Sequence, residues 1–327
     1  MLYGSTFLWI YHSILFFIRQ SSFVYRFLPY YSVKYNYSEY YSPYIVKKGN
    51  VMKKLIWKIV LAASLLLMVV AATNIVLLSR EYQKGINTYA NLEKYATVTQ
   101  DSVKAAQEIK DTADSENMEE AVEEIIEGPQ IAVDPDIDYD ALTKINGDFV
   151  GWIYYAPLEL SYPIVRGIDN DYYTHYTFEN VRNSSGAIFM DFLNKPDFSH
   201  FNTIIYGHNM RNGTMFGSLK KLLNDPSIIE EDPYIYIFTK EKVMMYEICA
   251  AYITNDSSHT YDLTQTAEEQ ADYVKYIRNV ATYYWDDPML EESLTEETRL
   301  ITLSTCHGLH TNNRTVIHGV LVASKDR

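Results

Sequence analysis

The chain has 327 residues, 47% hydrophobic and 21% charged, with a formal net charge of −14. That composition supports one sizeable globular domain plus accessory segments and is not that of a disordered chain. The acidity argues against nucleic acid as a partner, because phosphate contact is driven by Lys and Arg.

Residues 1–51 differ from the rest. They hold ten of the 30 tyrosines and a single acidic residue, Glu39. The apolar run Phe7–Ile18 is interrupted by His12 and is short for a membrane span. Tyr40-Tyr41-Ser42-Pro43-Tyr44 follows neither a helical nor a strand period. The composition matches AT-rich codons, and Lys47-Lys48-Gly49 back-translates to a purine-rich run just before the Met52 codon. The expectation is a non-native upstream extension, with synthesis starting at Met52. A genuine aromatic leader or a second membrane segment is the alternative.

Residues 52–79 read as a membrane anchor. Met52-Lys53-Lys54 precedes Leu55–Leu78, 24 residues whose one charge is Lys58. About 20 apolar residues suffice to cross a bilayer. A basic segment before an apolar core also describes a signal peptide, but this core is long for one. Lys53 and Lys54 before the span and Lys58 near its start, against Arg80 and Lys84 after it, point the N-terminus into the cytoplasm. The remainder is then expected outside the cell, held by a single pass.

Residues 80–135 read as a helical, acidic linker or stalk. Met118–Glu127 would place Ala121, Val122, Ile125 and Ile126 on one face, either packed on the domain or as part of a solvated acidic helix. Gly128-Pro129 and Asp134-Pro135 mark the boundary of a domain over residues 136–327. There the pattern becomes short strands and turns. Strand-like stretches are Phe149–Tyr155, Tyr162–Val165, Gly186–Met190, Asn202–Tyr206, Tyr234–Phe238 and Lys242–Ile253, the last two forming a hairpin across Thr239–Glu241. One helix intervenes, opened by a capping box at Thr266 and Glu269, with a stripe of Ala267, Ala271, Val274, Ile277, Ala281 and Tyr284; Asp287-Pro288 lies beyond it. Strands over Leu300–Cys306 and from Arg314 to Val322 close the chain. So many short strands suggest a closed barrel.

The last two strands bring a thiol and a guanidinium to one end of a sheet. The chain's two cysteines, Cys249 and Cys306, are too few for a disulfide framework, so a free functional thiol or a buried one is expected. A cation beside a thiol favours the thiolate, the reactive form. His208 follows a strand and a glycine, as Cys306 ends a strand. If both belong to one barrel, the bottom-up reading is acyl transfer, with Cys306 attacking a carbonyl, Arg314 donating to the oxyanion and His208 protonating the leaving amine. A structural thiol at Cys306 and a satisfied loop histidine at His208 are the bland alternatives. A metal reading, from Cys306-His307-x-x-His310 with His318 beyond, is awkward because adjacent strand residues face opposite sides.

Thr302-Leu-Ser-Thr-Cys306, Tyr206-Gly-His-Asn-Met210 and Arg314 together resemble the signature of sortases, the cysteine transpeptidases of Gram-positive cell surfaces. Asn146–Ile153, Tyr162–Val165, Asp169–Tyr172 and Gly186–Asp191 add to a resemblance running from Asp138 to Ala323. The helix before the last strand pair and the helical segment before the barrel look like class B. The resemblance implies a mostly β fold, an eight-stranded closed barrel with an N-terminal helical segment, an inserted late helix and a transmembrane helix. It makes Cys306 the nucleophile, His208 the general acid/base and Arg314 the oxyanion or substrate clamp. Ser304, Thr305, Asn170 and Asn209 are the candidate substrate-binding residues, Ser304 and Asn170 because they match positions lining the peptide groove. The family cleaves a C-terminal sorting signal of surface proteins after Thr, through a thioacyl intermediate, and passes the acyl group to an amine of peptidoglycan. No cofactor and no metal are implied. His307 departs from class B members that carry an acidic residue after the cysteine. A cysteine peptidase that only hydrolyses, or a non-catalytic anchored binding module, are the other readings.

Overall fold

The computed structural model describes residues 43–97, 131, 135–284, 294–295, 297–308 and 312–327. The expectations placed on residues 1–42, on Met118–Glu127, on Gly128-Pro129 and on Asp287-Pro288 lie outside the described residues, as does His310. The chain divides into two compact units, Met1–Asn74 and Ile75–Arg327.

The first long element is helix α1, Pro43–Leu92. Its run of Leu, Ile, Val and Ala carries no proline after its first residue, so nothing interrupts the hydrogen-bond ladder. Among the described residues it is the one helix long and apolar enough to cross a membrane. The large apolar side chains from Leu55 to Leu78 stand exposed.

The second unit takes in the end of that helix. Tyr89, Leu92 and Ala96 are buried, and Tyr89 meets Tyr162 edge-on at 5.3 Å. Strand β1 (Ala96–Thr97) pairs antiparallel with β2 (Asp136–Ile137). Residues 81–97, read from sequence as part of a linker, therefore pack into the body of the domain. Their partners lie far along the chain, so no local pattern announces them.

Beyond a short helix, α2 (Tyr139–Ile145), the strands follow in order. They are β3 (Phe149–Tyr155), β4 (Leu160–Val165), β5 (Ile188–Met190), β6 (Asn202–Tyr206), β7 (Tyr234–Phe238) and β8 (Lys242–Asn255). Helix α3 (Ala267–Val280), β9 (Tyr283–Tyr284), β10 (Leu300–Cys306) and β11 (Asn313–Asp326) complete the chain. Their order in the sheet is β11-β10-β6-β5-β4-β3-β7-β8-β9, and β11 also pairs with β8. Eight strands thus close into a barrel, with β9 an added ribbon on β8. Closure gives each of these eight strands a hydrogen-bonded neighbour on both edges.

Two details differ from the sequence pattern. Strand β5 starts at Ile188 because Gly186 sits at φ +54°, outside the strand region. Helix α3 ends at Val280 because Ala281 turns extended and Thr282 N donates to Ala251 O at 3.0 Å. Tyr284 therefore belongs to β9 rather than to the helix stripe, and Tyr273, absent from the expected stripe, is buried in its place.

Alternation along β10 and β11 separates two faces. Ile301, Leu303 and Ile317 enter the main apolar core. Leu300 and Val316 face the other way, packing with Tyr273, Val274 and Ile277 of α3. Between barrel and helix lies a polar network around the fully buried His318. Its Nδ1 is 2.9 Å from Thr302 Oγ1, and Thr302 Oγ1 donates to Asn202 Oδ1 at 2.7 Å. Its Nε2 is 2.8 Å from Tyr252 Oη, which in turn is 2.9 Å from Thr260 Oγ1. Asn202 Nδ2 donates to Tyr273 Oη, whose hydroxyl donates to Thr260 O, both at 2.7 Å. The Thr302 hydrogen is already given to Asn202, so His318 Nδ1 carries the proton and Nε2 accepts from Tyr252. With both ring nitrogens paired, a neutral imidazole is accommodated here; a charged one would be desolvated.

Burial pushes His318 down to about 3. Between an unfolded value near 6.5 and that level the unfolded chain binds a proton that the folded chain refuses. Stability therefore falls as pH drops through this window, by at most about 1.4 kcal/mol per pH unit. Urea unfolding between pH 7 and 4 should show a shallower pH slope for His318→Gln than for the parent; identical slopes would remove His318 as the cause.

Candidate active site

Strand register assembles the site. β10 runs parallel to β6, from Leu300 opposite Asn202 to Ser304 opposite Tyr206. Gly207 N donates to Ser304 O at 3.2 Å, carrying the pairing one residue past the strand. On its other edge β10 pairs antiparallel with β11, setting Cys306 directly across from Arg314. Directly opposed residues share a face, with Cβ atoms about 5 Å apart, and alternate residues on one strand share it too. Ser304 and Cys306, Tyr206 and His208, and Arg314 therefore converge. They line one cavity of about 330 Å³.

The imidazole of His208 is held on one side. Its Nε2 is 2.7 Å from Thr174 O. A carbonyl only accepts, so Nε2 carries a proton and Nδ1 is the nitrogen left for chemistry. The ring rests on Gly186, where a Cβ would fall 3.0 Å from His208 Cδ2 and 2.5 Å from Tyr173 O. Gly207 is equally constrained, since a Cβ there would come 2.5 Å from Ile188 Cδ1. These close approaches are why glycine stands beside the histidine in space and in sequence.

Arg314 pairs with Asp256, Nη2 to Oδ2 at 3.2 Å. Asp256 arrives there because β8 is the other neighbour of β11, with Thr254 opposite Arg314. Cys306 is a half-buried free thiol. Cys249 takes the other role considered for a cysteine. It is fully buried, its Sγ donates to His318 O at 3.6 Å, and burial pushes its thiol up to about 12.

The four candidate substrate residues divide. Ser304 lines the cavity and pairs with Tyr261, Oγ to Oη at 2.8 Å. Asn170 also lines it, but its amide is committed: Nδ2 donates to Asp191 Oδ2 at 2.7 Å and Oδ1 accepts from Phe192 N at 3.0 Å. Thr305 borders the cavity while the strand pleat turns its side chain to the opposite face, where Oγ1 is buried without a hydrogen-bond partner. Asn209 is not part of the lining. Its Nδ2 donates to Cys306 O at 2.6 Å, tying the histidine loop to the end of β10.

Three lining residues escaped the sequence reading: Thr174, Asp256 and Tyr261. Thr174 sits in the short helix Tyr172–His175, Asp256 in a turn and Tyr261 at the end of the helical turn His259–Tyr261, and no local signal singles any of them out. Burial raises the phenol of Tyr261 above the ordinary tyrosine value. His307 Nδ1 pairs with Thr315 Oγ1 at 2.9 Å, and His318 is committed to the network under α3. Among the described residues no cluster of three or more His, Cys, Asp or Glu has the geometry to hold a metal ion.

A family model for the sortase domain matches residues 156–322. The chain belongs to the sortase family. Sortase B of Listeria monocytogenes is 33% identical over 183 residues, 55% of this chain and 72% of that protein. Sortase B of Staphylococcus aureus is 32% identical over 181 residues, with the same shares. Among solved structures, sortase B of Clostridium perfringens aligns with a TM-score of 0.51 at 29% identity, covering 56% of this chain and 99% of that one. A Staphylococcus aureus sortase B–substrate complex gives 0.51 at 28% identity, covering 56% and 84%. These relatives make the protein a class B sortase, a cysteine transpeptidase of the cell envelope.

The Arg314–Asp256 pair is partly exposed, so its strength is modest and its use is orientation. In this sortase Asp256→Asn should raise the peptide KM by about three- to fivefold, with thermal stability essentially unchanged, because an exposed pair contributes under about 1 kcal/mol. Steady-state kinetics alongside a melting curve checks this.

Proposed function

We propose that this sortase is a membrane-anchored transpeptidase that cleaves a C-terminal sorting signal of surface proteins after Thr and passes the protein to an amine of peptidoglycan. The observation that carries the reading is the common cavity of Cys306, His208 and Arg314, set by the register of β6, β10 and β11.

Cys306, as thiolate, attacks the carbonyl carbon of the threonine in the signal, and the carbonyl electrons move to oxygen. Arg314 donates hydrogen bonds to that oxyanion, the planar fork matching the developing charge. The tetrahedral intermediate collapses by breaking the carbon–nitrogen bond, while His208 Nδ1 protonates the departing amine. A thioacyl enzyme remains. An amine of a peptidoglycan cross-bridge or stem peptide then attacks the thioester, His208 takes its proton, and Cys306 leaves as thiolate. The chain's own side chains supply every proton transfer and the charge stabilisation.

The apolar stretch of α1 is the anchor, in a single pass with the N-terminus in the cytoplasm and the catalytic domain outside. That location suits both partners, because sorting signals and peptidoglycan amines meet at the outer membrane surface. Ser304, through its pairing with Tyr261, contributes to the groove wall that meets the peptide.

Incubating the protein with a sorting-signal peptide and a soluble amine should yield an amide product, with the thioacyl adduct visible by mass spectrometry. Hydrolysed peptide alone, under every amine tried, would mean that the enzyme is only a peptidase. Cys306→Ala should abolish both products. Arg314→Lys should lower kcat/KM by about 10²-fold or more, since a point charge replaces a bidentate fork at the oxyanion.

A further inference from the structure

The last turns of α1 carry Glu81, Gly85 and Tyr89, four residues apart and so on one helix face. That face meets four successive residues of the loop preceding β5. Glu81 O accepts from Asn183 Nδ2 at 3.0 Å, and the Glu81 carboxylate accepts from Ser184 N at 3.1 Å. A Cβ on Gly85 would fall 2.7 Å from Ser185 Oγ and 3.0 Å from Asn183 Oδ1. Tyr89 Oη donates to Gly186 O at 2.5 Å.

Two of these contacts explain residues, Gly85 and Tyr89, that the helix alone would not choose. Glycine inside a helix costs about 1 kcal/mol relative to alanine, yet here alanine would collide with Ser185. A tyrosine hydroxyl buried against a backbone carbonyl is retained only if it makes its hydrogen bond. Burial also raises the Tyr89 phenol above its ordinary value, so it stays a donor throughout the working pH range.

Gly186 is where this matters for chemistry. Its αL backbone leaves no room for a side chain because the His208 ring lies against it, and the neighbouring Thr174 carbonyl holds His208 Nε2. The backbone against which the imidazole lies is therefore also held by the helix, through Tyr89 on Gly186 O. We propose that the Glu81–Gly85–Tyr89 face of α1 is a positioning element for His208, fixing the Asn183–Gly186 backbone and through it the distance from the imidazole to Cys306. Tyr89, Gly85 and Glu81 touch no substrate; they act through Gly186. The inference rests on the reading of His208 as the acid–base group.

The test uses the full chain with Tyr89→Phe, Gly85→Ala and His208→Ala. Tyr89→Phe removes only the hydroxyl, while Gly85→Ala keeps every hydrogen-bonding group and pushes the helix away from Ser185. Both should lower kcat for sorting-signal peptide cleavage roughly tenfold, with KM within about twofold, since small displacements of a catalytic group cost rate rather than binding. Both should also shift the His208 ring ¹⁵N signals and their pH titration. Unchanged His208 signals and kcat in Tyr89→Phe would overturn the proposal. So would a loss of kcat matched only by a smaller folded fraction in a melting experiment. If His208→Ala turns over at the parent rate, the acid–base assignment fails instead, and the ring signals still report whether Tyr89 positions His208.

Discussion

The arrangement at the cavity depends on the pairing register of three adjacent strands. β10 lies between a parallel neighbour, β6, and an antiparallel one, β11. A slip of one residue in either ladder would send every affected side chain to the opposite face. The apolar positions guard against that. Ile301, Leu303 and Ile317 must enter the core, and Leu300 and Val316 must meet α3, so a one-residue slip would break both faces at once. The candidate nucleophile, acid–base group and clamp, at or just beyond strand ends, are thus placed by the burial of apolar neighbours that do no chemistry.

The second constraint is the polar layer beneath α3. His318, Thr302, Asn202, Tyr252, Tyr273 and Thr260 form a connected set of hydrogen bonds in which buried polar groups find partners. Such a layer contributes little net stability per bond, but leaving any member unpaired costs about 1–3 kcal/mol. It therefore specifies where the helix and the Thr260–Tyr261 turn sit. Tyr261 carries the consequence into the cavity, where it reaches Ser304. Both the wall at Tyr261 and the support under His208 come from segments that share no motif with the catalytic strands. Aligned sortases supply the family and the chemistry; the bracing of this cavity by its own helices follows from this chain's contacts.

Much of this was readable from the residues alone. Short apolar stretches rich in β-branched and aromatic residues, bounded by turn residues, marked all eight barrel strands. The thiol at the end of Leu300–Cys306, the glycine–histidine after Asn202–Tyr206 and the arginine opening the last strand stood out by residue type and by position at strand ends. The capping box marked the start of α3 to the residue, since Thr266 and Glu269 satisfy each other's backbone locally. The 24-residue apolar run likewise marked the part of α1 long and apolar enough to cross a membrane.

What local pattern could not carry was anything dependent on pairing between distant segments. Asp256 reaches Arg314 only because β8 closes the barrel against β11. Asn209 turns out to tie the loop to the Cys306 carbonyl rather than to line the cavity, a matter of side-chain direction that its place in the motif does not reveal. Residues 81–97 looked like linker because their partners stand about a hundred positions away, as Tyr89 and Gly186 do. Residue chemistry and strand pattern, which are local, marked which strands form and which side chains are the catalytic candidates. Closure of the barrel, which is not local, decided what holds those side chains in place.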